Sequence, residues 1–109
     1  MTIVSLTFDD ALDCHLDIAV PLLNHYGLPG TFYIPLASDT IAHRHRDWQA
    51  VAARGHELGN HTLFHPGIMA KPWVSEGIAL EHYSLDRISR ELSLANTFLT
   101  ILDGCHERT

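Results

Sequence analysis

The sequence predicts an α/β fold of order βαβαβα built on parallel strands. Three observations carry it: short β-branched and aromatic runs, intervening stretches with apolar residues three and four apart, and a Gly or Pro near almost every junction. Strands that alternate with helices pair in parallel through right-handed crossovers.

Residues 2–8 are mostly apolar and β-branched or aromatic, which predicts a first strand covered on both faces. Leu16, Ala19, Val20 and Leu23 form one face of a helix ending near Tyr26-Gly27, with Pro29 beyond it. Pro21 falls inside that pattern, so it either kinks the helix or opens its regular part. Thr31-Phe32-Tyr33-Ile34 reads as a second strand stopped by Pro35. Trp48, Val51 and Ala52 predict a second helix over residues 46–54, with Gly55 as its stop. Residues 57–61 are the third strand, in which Gly59 is an unusual occupant. Residues 65–74 hold Pro66, Gly67 and Pro72 and read as a loop. Leu85, Ile88, Leu92, Ala95, Leu99 and Leu102 mark a last helix ending at Gly104. Without sustained flanking charge pairs, that stripe is read as a helix packed on a sheet rather than a coiled coil. Little chain follows Gly104, so a fourth strand is expected to lie beyond residues 1–109.

Composition sets the outer limits. A chain of 109 residues with 46% hydrophobic and 18% charged residues suits one small folded domain. Seven basic against 13 acidic residues give a net charge of −6, which offers no footprint for nucleic acid or an anionic membrane. No apolar run approaches the roughly 18 residues of a membrane span. Met1 leads straight into Thr2-Ile3-Val4-Ser5 without a basic segment, so the expectation is a chain with no export signal, favouring the cytoplasm. Cys14 and Cys105 are too few for a disulfide framework and are read as reduced thiols. Nine His in so short a chain prompt a search for a metal site.

Asp9 and Asp10 fall at the C-terminal end of the first strand, where parallel α/β sheets collect ligands and catalytic groups. Neighbouring residues on a strand point to opposite faces, so both can serve one site only if the strand breaks there into a loop. Two adjacent carboxylates repel unless a cation neutralises them. The plainer reading is a helix-capping Asp beside a solvated one. His61 and His65 follow the third strand on the same predicted rim. A four-residue spacing puts two imidazoles on one face of a helical turn, able to reach one metal, although such a pair also arises by chance. Zn²⁺ commonly takes three N or O ligands in a catalytic site, and Asp10 would be the third.

Ser5-Leu6-Thr7-Phe8-Asp9-Asp10 resembles the first motif of the polysaccharide deacetylase (NodB-homology) family, carbohydrate esterase family 4. Gly59-Asn60-His61-Thr62-Leu63-Phe64-His65-Pro66 resembles its second motif, and residues 21–34 share the family's look. The resemblance implies that residues 1–109 are the N-terminal part of a distorted (β/α) barrel domain. It implies a metal-dependent hydrolase that removes acetyl groups from amino sugars or acetylated polysaccharide. Asp9 would be the catalytic base and Asp10, His61 and His65 the ligands of a divalent cation, Zn²⁺ by preference but with Co²⁺, Ni²⁺ or Fe²⁺ compatible. Thr62 would steady the loop. A cation in such a site lowers the pKa of its water from 15.7 towards about 7 and offsets the charge of the paired carboxylates. Where the family's first motif continues with Gly, Ala11 stands here. The later motifs, with an Arg and the His that protonates the leaving amine, have no counterpart; Arg108 lies near the first of them and receives no role.

His43-Arg44-His45 is a rival metal motif, since alternate residues of a strand share a face, but its flanking Arg residues favour a solvated loop. His15, His25 and His56 are read as surface residues, and Cys14 as an incidental thiol rather than a nucleophile. Two other functions compete with the deacetylase: a non-catalytic metal- or carbohydrate-binding module, and an amidohydrolase-like enzyme built on the His43/His45 pair.

Overall fold

A computed structural model describes all 109 residues. Strand β1 (Thr7–Asp9) leads to a π-helical turn (His15–Ala19) continuous with helix α1 (Val20–Tyr26). Then come β2 (Thr31–Ile34), α2 (Asp39–Ala53), β3 (Glu57–Asn60), two short 3₁₀ turns (Glu76–Ile78 and Leu80–His82) and α3 (Leu85–Asp103). The strands form a parallel sheet in the order β1-β2-β3, with Phe8 opposite Phe32 and Phe32 opposite Leu58. The βαβαβα order is as the sequence predicts. No helix is long and apolar enough to cross a membrane.

The core lies where the helices cover one face of this sheet. Phe32 and Ile34 alternate inward along β2 and meet Leu58, Trp48 and Leu99, all fully buried. Burying each such side chain contributes about 1.5–3 kcal/mol, which fixes the register because a one-residue slip would turn them all outward. At Gly59 an added Cβ would sit 2.5 Å from the Tyr33 ring, so the glycine that looked odd in a strand is there because a neighbouring side chain lies over its backbone.

Four expectations are corrected. The first strand is three residues long rather than spanning residues 2–8, and Ile3 and Val4 are exposed. β1 is the edge of the sheet, and without a second neighbour β-branched residues do not by themselves hold a ladder. Helix α2 starts at Asp39, well before Arg46, and takes in His43-Arg44-His45. Its polar first half lacks apolar periodicity and is held by tertiary contacts: buried Thr40 and Ile41, and Arg44, whose guanidinium pairs with Asp13, Asp17 and Asp47. Arg44 also marks a kink (φ −132°, ψ 25°). On a helix, residues two apart diverge, so exposed His43 and His45 form no ligand pair.

His15 and His56 are buried, not superficial. The π-helical turn, in which Val20 N–H bonds to His15 O, admits an extra residue and swings His15 inward beside Phe8 and Phe32. His56 Nδ1 accepts from Gly30 N–H and its Nε2 faces Asn24 Oδ1, both at 3.1 Å. The predicted stripe on α3 holds in its second half, where Ala95, Leu99 and Leu102 are buried, but not in its first. Leu85 is 88% exposed and Leu92 partly so, while Glu91 joins Ala95, Leu99 and Leu102 inside. Glu91 can lie there because Tyr83 Oη and Arg87 Nε donate to its carboxylate. His25, Cys14 and Cys105 are exposed, and the two cysteines are free.

Candidate metal centre

The first half of the site is the exit from β1. Asp9 is the last strand residue; Asp10 and Ala11 follow with φ of 77° and 50°, both left-handed. For residues bearing a Cβ this conformation costs roughly 1–2 kcal/mol each, so it persists only where surroundings impose it. The Ala11 methyl is buried, and its carbonyl accepts a 2.6 Å hydrogen bond from Thr40 Oγ1. Thr40 Oγ1 in turn accepts from Trp48 Nε1 at 3.1 Å. Leu12 N–H donates to His15 Nδ1 at 3.2 Å. Ala11 therefore adopts the backbone that a glycine would take more easily. The break also resolves the geometry of the paired acids, because the chain leaves the strand between them.

The second half is the exit from β3. His61 N–H donates to Ile34 O, Leu36 N–H to Thr62 O and Ala37 N–H to Leu63 O, so the loop runs on alongside the chain leaving β2. Thr62 and His65 are left-handed, with φ of 69° and 53°. Thr62 Oγ1 accepts from His65 N–H at 2.9 Å, and Asn60 Oδ1 accepts from Thr62 N–H at 2.8 Å. Asn60 Nδ2 reaches across to Leu92 O and Asn96 Oδ1 on α3. The two imidazoles are thus brought together by a knotted-back turn, not by the helical turn that their spacing suggests; their ring centres are 4.8 Å apart.

The two halves meet at one atom. His61 Nε2 and His65 Nε2 each lie 3.2 Å from Asp10 Oδ1, and the three donor atoms fall within 4.8 Å of one another. Ligands about 2.0–2.1 Å from one ion at a tetrahedral angle are about 3.3 Å apart, so each imidazole nitrogen stands from the Asp10 carboxylate oxygen as two ligands of one small divalent cation would. The site opens into a cleft of about 600 Å³ lined by Asp10, His65, Phe64, Trp73, Pro35 and Ser38. The Trp73 indole lies 5.0 Å from the His65 ring.

Asp9 is exposed at the strand end. Beneath the Asp pair, burial holds the His15 pKa below the usual imidazole range, against the opposing pull of the Asp10 and Asp9 charges. With Nδ1 accepting from Leu12, the neutral ring carries its proton on Nε2. Thr40, Asn60 and Trp73 have no role in the sequence reading, which takes His15 as a surface residue. Of these only Asn60 stood inside a motif. Arg108 does not approach the centre: its buried guanidinium pairs with Asp103 and donates to Leu58 O.

Comparison with known proteins places these features in context. No curated protein matches the chain. Among solved structures, it is similar to a Streptococcus pyogenes deacetylase in complex with acetate (20% identity, TM-score 0.76, 96% of this chain and 43% of that one). It is also similar to a family 4 carbohydrate esterase from Bacillus anthracis (19%, TM-score 0.74, 96% and 44%). A family 4 acetyl xylan esterase from Clostridium thermocellum, in complex with a cobalt ion, is similar at 26% identity (TM-score 0.66, 95% and 45%). The chain thus spans less than half the length of each of these structures. The polysaccharide deacetylase family model matches residues 2–104, nearly the whole sequence, and the chain belongs to that family.

Proposed function

We propose that this chain carries the metal centre and base of a hydrolase that removes acetyl groups from amino sugars or acetylated polysaccharide, cleaving a C–N bond. The observation that carries the reading is the placement of Asp10 Oδ1 at 3.2 Å from both His61 Nε2 and His65 Nε2. Family membership supplies the reaction class.

Asp10, His61 and His65 would hold the cation, and their donor set suits Zn²⁺ best, with Co²⁺, Ni²⁺ or Fe²⁺ compatible. When bound, the cation acidifies a water and polarises the acetyl carbonyl. For His61 and His65 to offer Nε2 lone pairs, each keeps its proton on Nδ1. Asp9, adjacent to the ligand Asp10, receives on a carboxylate oxygen the proton that the attacking water loses. The left-handed turn keeps the two acids separate in role, one committed to the ion and one free.

Calorimetric titration with Zn²⁺ tests the centre directly. The wild-type chain is expected to bind one equivalent, and His61→Ala to lose about two orders of magnitude in affinity, whereas His43→Ala is expected to bind as wild type. Equal effects of the two substitutions would defeat the reading. Acetate release from acetylated chito-oligosaccharide in the presence of metal then separates a hydrolase from a module that binds metal without turnover.

A further inference from the structure

Trp73 presents a large aromatic surface that the fold does not bury. It is 52% exposed, yet the segment carrying it is firmly stapled. Gly67 N–H donates to Ile78 O and Leu80 N–H to Gly67 O; the Glu81 carboxylate accepts from Met69 N–H, and Arg87 Nη2 holds Gly77 O. Gly67 is bare because the indole lies against it: an added Cβ would stand 2.6 Å from Trp73 Cη2. With exposed Phe64 lining the same cleft, the indole makes a contiguous apolar surface on a fixed loop, the kind of patch that marks a ligand groove. Its ring flanks His65, and it lines the same cleft as Asp10 and the half-exposed Phe64.

A cleft of this size, with two aromatic walls and a few polar groups at one end, suits a small ring with an apolar face and polar edges. A pyranose has both: its C–H face stacks on an aromatic ring while its substituents project sideways. Resting on the proposed deacetylase reading, we infer that Trp73 is the stacking platform for the sugar ring whose acetamido group is presented to Asp10 and His65. The indole then determines specificity for a glycan over a small acylated amide, and it acts on substrate binding rather than on the cation.

The test uses the full chain loaded with Zn²⁺ and triacetylchitotriose as probe. Trp48 is fully buried, so a saturable change in tryptophan emission on adding the trisaccharide is expected to come from Trp73. By calorimetry, Trp73→Ala is expected to weaken trisaccharide binding about tenfold or more while Trp73→Phe keeps it within about threefold. Zn²⁺ affinity is expected to stay within about threefold in both variants. Circular dichroism and retained Zn²⁺ binding show that each variant is folded. Trisaccharide affinity unchanged in Trp73→Ala, or a loss confined to Zn²⁺ affinity, overturns the platform, the second result making Trp73 a mere buttress of His65. Trp73-dependent binding without acetate release leaves the platform standing and strikes instead at the proposed reaction.

Discussion

Thr40 ties the turn of Asp10 and Ala11 to the core through one hydroxyl, and replacing it isolates that tie. Thr40→Val preserves shape and removes both the donor to Ala11 O at 2.6 Å and the acceptor for Trp48 Nε1 at 3.1 Å. Thr40 is 5% exposed and Trp48 0%, so water cannot readily replace either partner. Each orphaned buried polar group costs about 1–3 kcal/mol, and the pair about 2–4 kcal/mol once local relaxation is allowed. Against a domain stability of about 5–15 kcal/mol this is severe, and it corresponds to a fall in thermal midpoint on the order of 10 °C. Asp10 and Ala11 lose the contact that helps to hold their left-handed backbone, so Zn²⁺ affinity is expected to fall about tenfold as Asp10 drifts from the imidazoles. Thr40→Ser restores the hydroxyl and should recover most of both quantities. Thermal denaturation followed by circular dichroism reads the first effect and calorimetry the second. A Thr40→Val midpoint within about 2 °C of wild type would refute the argument that this hydroxyl sustains the turn.

Asp103→Ala leaves the Arg108 guanidinium buried without its carboxylate, and the chain is expected to lose about 3–5 kcal/mol by denaturant unfolding; a loss below about 1 kcal/mol would contradict it. His56 is kept neutral by burial, with a smaller contribution from Arg54, so its folded pKa lies below that of the unfolded chain. Its contribution to stability is therefore full above about pH 6.5 and declines as pH falls from there through the folded value, with His15 acting in the same direction. Guanidinium midpoints measured between about pH 8 and pH 5 should fall on the acid side, less steeply in His56→Gln, and a flat profile would exclude the effect. Gly59→Ala drives a methyl into the Tyr33 ring and is expected to cost about 1–3 kcal/mol, read as a lower thermal midpoint; an unchanged midpoint would mean the ring yields freely.

The parts of this structure that could be read in advance are those where local chemistry and tertiary environment agree. β2 alternates in burial, its neighbours are helices on one side, and Thr31–Ile34 was legible to the residue. Pro21 opens the regular helix α1, one of the two roles its fixed φ allows. Helix α3 was legible in extent, from Leu85 to left-handed Gly104, and in the buried face of its second half, but not near its start, where Tyr83 Oη and Arg87 Nε donate to Glu91 and let a carboxylate go inside. A longer-range limit explains Asp39–Ala53. Nothing within residues 39–45 announces a helix; Thr40 joins it by bonding to Ala11 and Arg44 by bonding to Asp13 and Asp17, all far away in sequence. His15 and His56 were misjudged for a related reason: a polar residue beside a helix end looks superficial until its backbone partners, Leu12 and Gly30, are known.

The site was legible for a different reason. Asp10, His61 and His65 each sit where a parallel strand ends, and parallel strands put their C-terminal ends on one rim whatever the loops do. Strand order then sets how far apart those ends are: β1 and β3 are separated by β2 alone, so an acid leaving β1 and an imidazole leaving β3 need to lean over just one strand to meet. Both exits do lean, through left-handed residues at Asp10, Ala11, Thr62 and His65, none of them glycine. Strain at four such positions is not a packing accident, since each turn is fastened by its own hydrogen bonds, from Thr40 on one side and from Thr62 and Asn60 on the other. The sheet supplies proximity and the strained turns supply convergence; of the residues that fasten those turns, Thr62 and Asn60 lie within the second motif, while Thr40 lies outside any motif and is tied to the site by tertiary structure alone.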